Sequence, residues 1–444
     1  MFARATAACL LLATIASGCG DDGGDSGAPP LTAAWEAPVD VSRPGDHASG
    51  PRVAVDGRGD AVAVWTAAPG ENASAVVVQS AARPVGGSWQ RPVTISTRGS
   101  ASSPEIAVDP KGNAVAAWTS YAARRSSVQA AIRGAGGRWS APVRLSAAGD
   151  TAARPHVAFD ARGNVLAVWQ RTRAGRSSIR SARRPAGGRW GRSVAVAKIS
   201  TRGIAESATP RVAVDAKGNA AATWITATIG NMGTVQAALK PAGGAWRAPA
   251  TLSAGGGRSL AAQIVIDGAG NAVAAWLDYA SRVVRGAVHA PGGRWSRPKA
   301  LSRPRQVAGG PMLATGGRNT TVAVWANLAS ASVASATRRG GGWQATVGVA
   351  RGIDAFGTAV ALDAGGDAVA VWIGNDGGSE QGAVRAAGGA WQAPAELAPR
   401  TAGLEASGAD ISVAVDPQGR NAVAVWSRPI GADSFVQATA LPLG

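Results

Sequence analysis

From residue 35 onward, apolar residues recur in short alternating runs between glycine-bearing turns, and no stretch carries the spacing of a helix. The copy from Pro210 to Ser253 shows the unit. Strand a reads from Arg211 to Val214, strand b from Ala220 to Trp224, strand c from Val235 to Leu239 and strand d from Trp246 to Ser253. Asp215-Ala216-Lys217-Gly218-Asn219 joins a to b, and Pro241-Ala242-Gly243-Gly244 joins c to d. An Asp that accepts turn amides, followed by a Gly free to take positive φ, makes a tight bulged hairpin. The other connections, b to c and d to the next a, vary in length from copy to copy.

Sixteen tryptophans mark eight copies. One series ends strand b, at Trp65, Trp118, Trp169, Trp224, Trp276, Trp325, Trp372 and Trp426; the other opens strand d, at Trp35, Trp89, Trp139, Trp190, Trp246, Trp295, Trp343 and Trp391. A repeat of roughly fifty residues made of four short strands predicts an all-β fold, an eight-bladed β-propeller of four-stranded blades. The chain opens with a lone strand d, Trp35 to Ser42, and ends with strands a to c of a last unit. Pairing these fragments closes the ring and removes its open edges, a closure that resembles that of WD-repeat propellers. A ring of seven with one displaced unit is the alternative. Wedges between blades need flat apolar fillers, and burying about 150–250 Å² per Trp gives an upper bound of about 4–6 kcal/mol each. A ring of sugar-stacking sites is the functional alternative.

The a–b turn opens on Asp56, Asp109, Asp160, Asp215, Asp267, Asp363 and Asp416, with Gly316 in the sixth copy and one additional turn residue in the eighth. These aspartates read as turn caps. With the following Gly and the strand ending in Trp, they resemble the Asp-box of the sialidase-like propellers, although the serine of that box is absent here. The resemblance implies a propeller fold and places the box away from any active site.

At the N-terminus, Arg4, the apolar run Cys9 to Ile15 and the small residues Ala16-Ser17-Gly18 read as a secretory signal. Cys19 follows, and the arrangement resembles the lipobox of bacterial lipoproteins, with Ala16 where that family usually has Leu. The resemblance implies a diacylated Cys19 anchored to the cell envelope. An ordinary signal peptide and a secreted protein is the alternative. Cys9 and Cys19 are the chain's two cysteines, so no disulfide forms inside the repeats. The expected organisation is a signal peptide over 1–18, a lipidated Cys and flexible tether over 19–34, and the propeller over 35–444.

Charge adds a direction to the disc. The chain carries +18, and its acidic tether residues make the repeats more basic still. Arg83, Arg133, Arg184, Lys240, His289 and Arg385 stand six residues before a strand-d Trp, and Arg58, Lys111, Arg162 and Lys217 stand at the tips of the first four a–b hairpins. Antiparallel strands put both hairpins of a blade on one face. Arg58, Arg83, Lys111, Arg133, Arg162, Arg184, Lys217 and Lys240 are therefore the candidates for binding an anionic surface, lipid or wall polymer. A merely solvated basic surface is the alternative. Export, and the lack of a basic motif interleaved with aromatics, argue against a dedicated nucleic-acid site.

The opposite face gathers the variable loops, where binding residues are expected. Asp46, Glu71, Glu105, Asp150, Glu206, Asp278, Asp354, Asp376, Glu380, Glu405, Asp410 and Asp433 are assigned to these loops, with Tyr121 and Tyr279 each three residues past a strand-b Trp and near Arg124, Arg125 and Arg282. A sialidase-like hydrolase would use a Tyr nucleophile with a carboxylate and arginines, which makes Tyr121 and Tyr279 the catalytic candidates. His47, His156 and His289 fall in different repeats without ligand spacing, so neither a metal nor a cofactor is expected. The resulting expectation is a monomeric, membrane-anchored extracytoplasmic binding or scaffold propeller with a protein or glycan partner on its loop face. The alternative is a carbohydrate-active propeller, either a repeated-site lectin or a sialidase-like hydrolase.

Overall fold

The computed structural model describes residues 34–443, apart from 71–74, 98, 123–124, 200–208, 229–230, 254–257, 305–308, 375–378, 399–409 and 431–432. The signal sequence, Cys19 and nearly all of the tether lie outside the described residues, as do Glu71, Arg124, Glu206, Asp376 and Glu405. Eight antiparallel sheets follow one another around a ring, each in the order a-b-c-d. Blade 1 is typical, with strands Ser49–Val55, Ala61–Ala67, Val77–Arg83 and Val93–Thr94. Each strand a stands innermost, between the a strands of its two neighbours.

Blade 8 joins the two ends of the chain. Ile411–Val415, Asn421–Ile430 and Asp433–Pro442 supply a, b and c, and the N-terminal Val39–Asp40 pairs antiparallel with the last of these, Val39 opposite Ala438. Arg83 of blade 1 clasps this closing strand through two bonds to the Glu36 carboxylate, 2.8 and 3.1 Å. The ring thus has eight blades rather than seven and a displaced unit.

The core is divided into wedges. The strand-b tryptophans are the largest fully buried side chains. Each inserts against the preceding blade, Trp65 beside Val423 and Val425 of blade 8 and Trp224 beside Leu166, Val168 and Ile179 of blade 3. The strand-d tryptophans are half-buried over small residues on strand c of the preceding blade. The indole N–H of Trp246 donates to Ser181 (2.8 Å) and that of Trp391 to Ser335 (2.9 Å), while Gly286 and Gly382 make room for Trp343 and Trp35.

Strand d is shorter than its apolar run. In blades 1, 2, 4, 5, 7 and 8 it contributes two residues to the ladder, and in each of these a proline, as in Pro92-Val93-Thr94, precedes the paired residues. Proline brings no N–H, so the ladder cannot form through it. Blades 3 and 6 lack that proline and carry d segments of six and five residues, Val194–Ile199 and Val347–Arg351.

Candidate functional site

The innermost strands converge on the ring axis, and one position of each reaches a shared cavity of about 260 Å³. That position lies four residues before the a–b turn residue. It is Arg52, Glu105, His156, Arg211, Gln263, Met312, Ala359 and Ser412 in blades 1 to 8, and all eight line the cavity. Two residues further along, on the same side of the strand, the copies carry Ala54, Ala107, Ala158, Ala213, Val265, Ala314, Ala361 and Ala414, a neck of small side chains below the polar ring.

A bulge sets the height of this ring. In blades 1, 2, 3 and 5 the a–b register skips just before the ring residue, between Ser49 and Arg52, Ser102 and Glu105, Ala153 and His156, and Leu260 and Gln263. The skipped segments contain Gly50, Ser103, Arg154 and Ala261, all with positive φ. Only Gly takes that conformation at no steric cost, so three of the four bulges hold strained backbone beside the axis. In blades 1 to 3 a proline follows, Pro51, Pro104 and Pro155, whose missing N–H fits the gap in the ladder.

Within the ring, Arg211 bonds Glu105 at 2.7 Å, reaching from blade 4 to blade 2 past blade 3. Arg52 lies 3.6 Å from Asp410, the residue two before Ser412. His156 accepts from the Val212 amide through Nδ1 (3.3 Å), and Ser412 accepts from that of Val53 (3.4 Å). Strand a is a free sheet edge at the axis, and these side chains satisfy N–H groups that no fifth strand reaches. Burial pushes the His156 imidazole down to about 4 against the pull of Glu105, so the ring is neutral and its proton resides on Nε2. Burial acts to raise the Glu105 carboxyl, but Arg211, His156 and Arg52 outweigh it and hold the group below its usual range. The site therefore presents two guanidinium groups, the Glu105 carboxylate, an imidazole N–H, an amide and a hydroxyl at one level, with the Asp410 carboxylate two residues before the ring position of blade 8.

No motif marks these ring residues, and Glu105, expected in a loop, stands instead in strand Ser100–Val108. The available signal was variation. Around an almost unchanging frame of Val, Ala and Asp, this single strand-a position changes chemistry in nearly every copy. Several acids assigned to the loops are engaged locally. Asp150 pairs with Arg171 (2.8 Å), Asp278 with Arg285 (2.8 Å), and Asp433 with His47 (3.2 Å) and the Gly45 amide (2.8 Å). Glu380 lies on strand c of blade 7 and is buried.

Tyr121 and Tyr279 are not brought together. Tyr121 is in blade 2, its hydroxyl 3.2 Å from that of Ser102, and Tyr279 is in blade 5 with the Arg258 guanidinium over its ring. Neither lines the axial cavity.

The basic positions divide into two sets. Arg58, Lys111, Arg162 and Lys217 are exposed at turn tips. The cations before strand d are drawn inward: Arg83 is buried on Glu36, while Arg133, Arg184 and Lys240 are half-buried, so Arg83 is not a surface cation. Arg385 is buried beneath Trp391, and His289 meets Trp295 edge-on. Arg338 joins this set in blade 6, where the c–d turn is one residue shorter and hides the spacing. It pairs, buried, with Asp267 at 2.8 Å.

Among the described residues, no group of three or more His, Cys, Asp or Glu side chains is placed to hold a metal ion. No family profile matches the chain, and no curated protein matches it in sequence. Solved structures match its fold. A puromycin hydrolase is 17% identical over 89% of this chain and 61% of its own, with a TM-score of 0.50, so this chain spans about three-fifths of that enzyme. An α-L-arabinofuranosidase from Fusarium graminearum is 11% identical over 92% of this chain and 98% of its own, with a TM-score of 0.45. A leech intramolecular trans-sialidase is 9% identical over 89% of this chain and 67% of its own, with a TM-score of 0.38. The chain is an eight-bladed β-propeller whose distant structural neighbours include sialidase-like and other propellers.

Proposed function

We propose that this protein is an exported, lipid-anchored binding propeller that takes a polyhydroxylated ligand, a glycan segment, into the axial mouth on its loop face. The observation that carries this reading is the axial ring: eight equivalent positions, of which six bear polar groups of mixed character, Arg52, Glu105, His156, Arg211, Gln263 and Ser412. Closely spaced donors and acceptors with balanced charge suit a neutral ligand rich in hydroxyl groups, each of which both donates and accepts. A single asymmetric site fits better than eight equal ones, because the strand-d tryptophans that a repeated-site lectin would use are seated on neighbouring blades.

Glycoside hydrolysis is the second reading, favoured by the carboxylates of Glu105 and Asp410 in one cavity. A general acid needs a raised carboxyl, whereas Glu105 is lowered by its arginine, and binding without turnover is the simpler expectation.

The test is a glycan panel titrated into the purified full-length protein at low and high salt, beside Arg52→Ala and Gln263→Ala. Saturable binding of one ligand per chain is expected to survive salt and to weaken about tenfold in each variant. Several equivalent sites, or binding indifferent to both variants, would move the ligand away from the axis. Release of a sugar product would replace the binding reading with the enzymatic one.

A further inference from the structure

On the hairpin face four of the eight seams, those between blades 1–2, 2–3, 3–4 and 7–8, are zipped by a turn carboxylate. The carboxylate of one a–b turn faces the turn glycine of the next blade: a Cβ on Gly112, Gly163 or Gly218 would come 2.6, 3.4 or 3.2 Å from Asp56, Asp109 or Asp160, and one on Gly419 would meet Asp363. A second stitch joins the two hairpins within a blade, with the amides of Ala135, Ala186 and Ala242 donating to the side-chain oxygens of Asn113, Asn164 and Asn219.

The first device is missing between blades 4 and 5, and the second is missing within blade 5. Nothing from Asp215 comes within 4 Å of the Cβ position of Gly270, and Asp215 is only half-buried where its six counterparts are buried. In blade 5 the stitching residue is Pro291, which has no N–H to give Asn271. The open seam is a cleft of about 420 Å³ whose walls include Lys217, Lys240, Arg247 and His289.

Positive charge outweighs negative in this cleft, where Lys217, Lys240 and Arg247 face the one carboxylate, Asp215, that no cation pairs with among the described residues. Among the described residues no ion pair involves Lys217, Lys240 or Arg247. The two carboxylates that also line it are engaged. Asp215 accepts the amides of Lys217 and Asn219 and the Asn219 side chain, and Asp267 accepts Arg338, Asn271 and turn amides. Burial and the neighbouring Arg183 hold the Lys240 ammonium below its ordinary value, and burial followed by Arg247 lowers His289, so the cations here crowd one another. Lys240 also lines the adjoining cleft with Arg162 and Arg183, which extends the basic strip across blades 3 to 5.

We propose that the cleft between blades 4 and 5 seats the phosphate of a phosphate ester, with Lys217, Lys240 and Arg247 closing around the anion. A phosphate offers several strong acceptors to a site whose donors lack partners. The group comes either from a lipid headgroup, with the hairpin face turned to the membrane, or from a free ester in solution.

The test measures binding of glycerol phosphate in solution, and of phosphatidylglycerol against phosphatidylcholine vesicles, to the full-length protein. It compares Lys217→Gln with Arg247→Gln in one chain, and Arg58→Gln with Lys111→Gln in another. All four residues are exposed and the two chains lose the same charge, so net charge is matched, and thermal melting of both chains checks that each folds. The cleft pair is expected to weaken binding at least about tenfold and the control pair less than about twofold. Selective loss with glycerol phosphate alone identifies a free ester, and selective loss with anionic vesicles identifies the membrane surface. Equal losses in both chains, or no binding of either probe by the unaltered protein, overturn the site. The axial ring is untouched by these changes, so either result leaves the glycan reading to its own test.

Discussion

Glu380 stands on strand c of blade 7, 2% exposed, against Arg428 of blade 8. Burial pushes its carboxyl up to about 7 although Arg428 pulls the other way. Its ordinary value is 4.5, so between there and about 7 the native state binds more protons than the unfolded chain. Stability therefore falls as pH rises through that window. Glu380→Gln is expected to flatten this slope and to add about 1–3 kcal/mol at a pH of about 8, with little change near pH 5, in denaturant unfolding. A slope identical to that of the parent would show that Glu380 is not the titrating group. His156 acts with the opposite sign: its contribution is present above 6.5 and is lost as pH falls through about 4. The sequence names both residues but not their states, because the burial and opposing charge that set them come from other blades. The turn aspartates are different. Asp56, Asp109 and Asp160 accept the amides two and four residues on, at 2.8–3.0 Å, a local geometry readable from Asp-x-x-Gly.

At the scale of the element, strand existence follows from alternation, and strand length follows from proline and from neighbouring chains. Strands b and c extend past the tryptophan frame in blade 4, to Ala220–Thr228 and Asn231–Lys240, because each has a partner on both sides. Strand d, at the outer edge, has one partner and is cut by proline in six blades. The bulge in strand a escaped the alternation pattern, since a skipped residue leaves the apolar run after it intact. Strand c carries a requirement with no visible motif: a small residue where the next blade's outer Trp lands. Gly382 is such a socket, with Trp35 Cζ2 3.1 Å and Leu397 Cδ2 3.3 Å from where its Cβ would stand. Gly382→Val is expected to lift Trp35 and cost about 1–3 kcal/mol in chemical unfolding. A neutral result would mean that the closing strand is not held by this contact.

For the whole molecule, stability depends on closing the ring. A chain shortened to begin at Arg43 loses the strand opposite Asp433–Pro442, along with Trp35 and Glu36, and leaves Arg83 buried without its carboxylate. It is expected to melt at least about 5 °C lower and to be cleaved by protease first in blade 8. Cleavage spread evenly over all blades would instead indicate that closure is dispensable. The sequence by itself determined the blade: its four strands, its two hairpins, the count of eight and the split of one blade between the chain ends. These rest on local alternation, turn chemistry and repetition. The tertiary structure alone decided where function can reside. The axial ring joins residues about fifty positions apart, and the open seam between blades 4 and 5 arises from a contact that fails to form. Both depend on how one wedge sets the angle of the next, which no single repeat encodes.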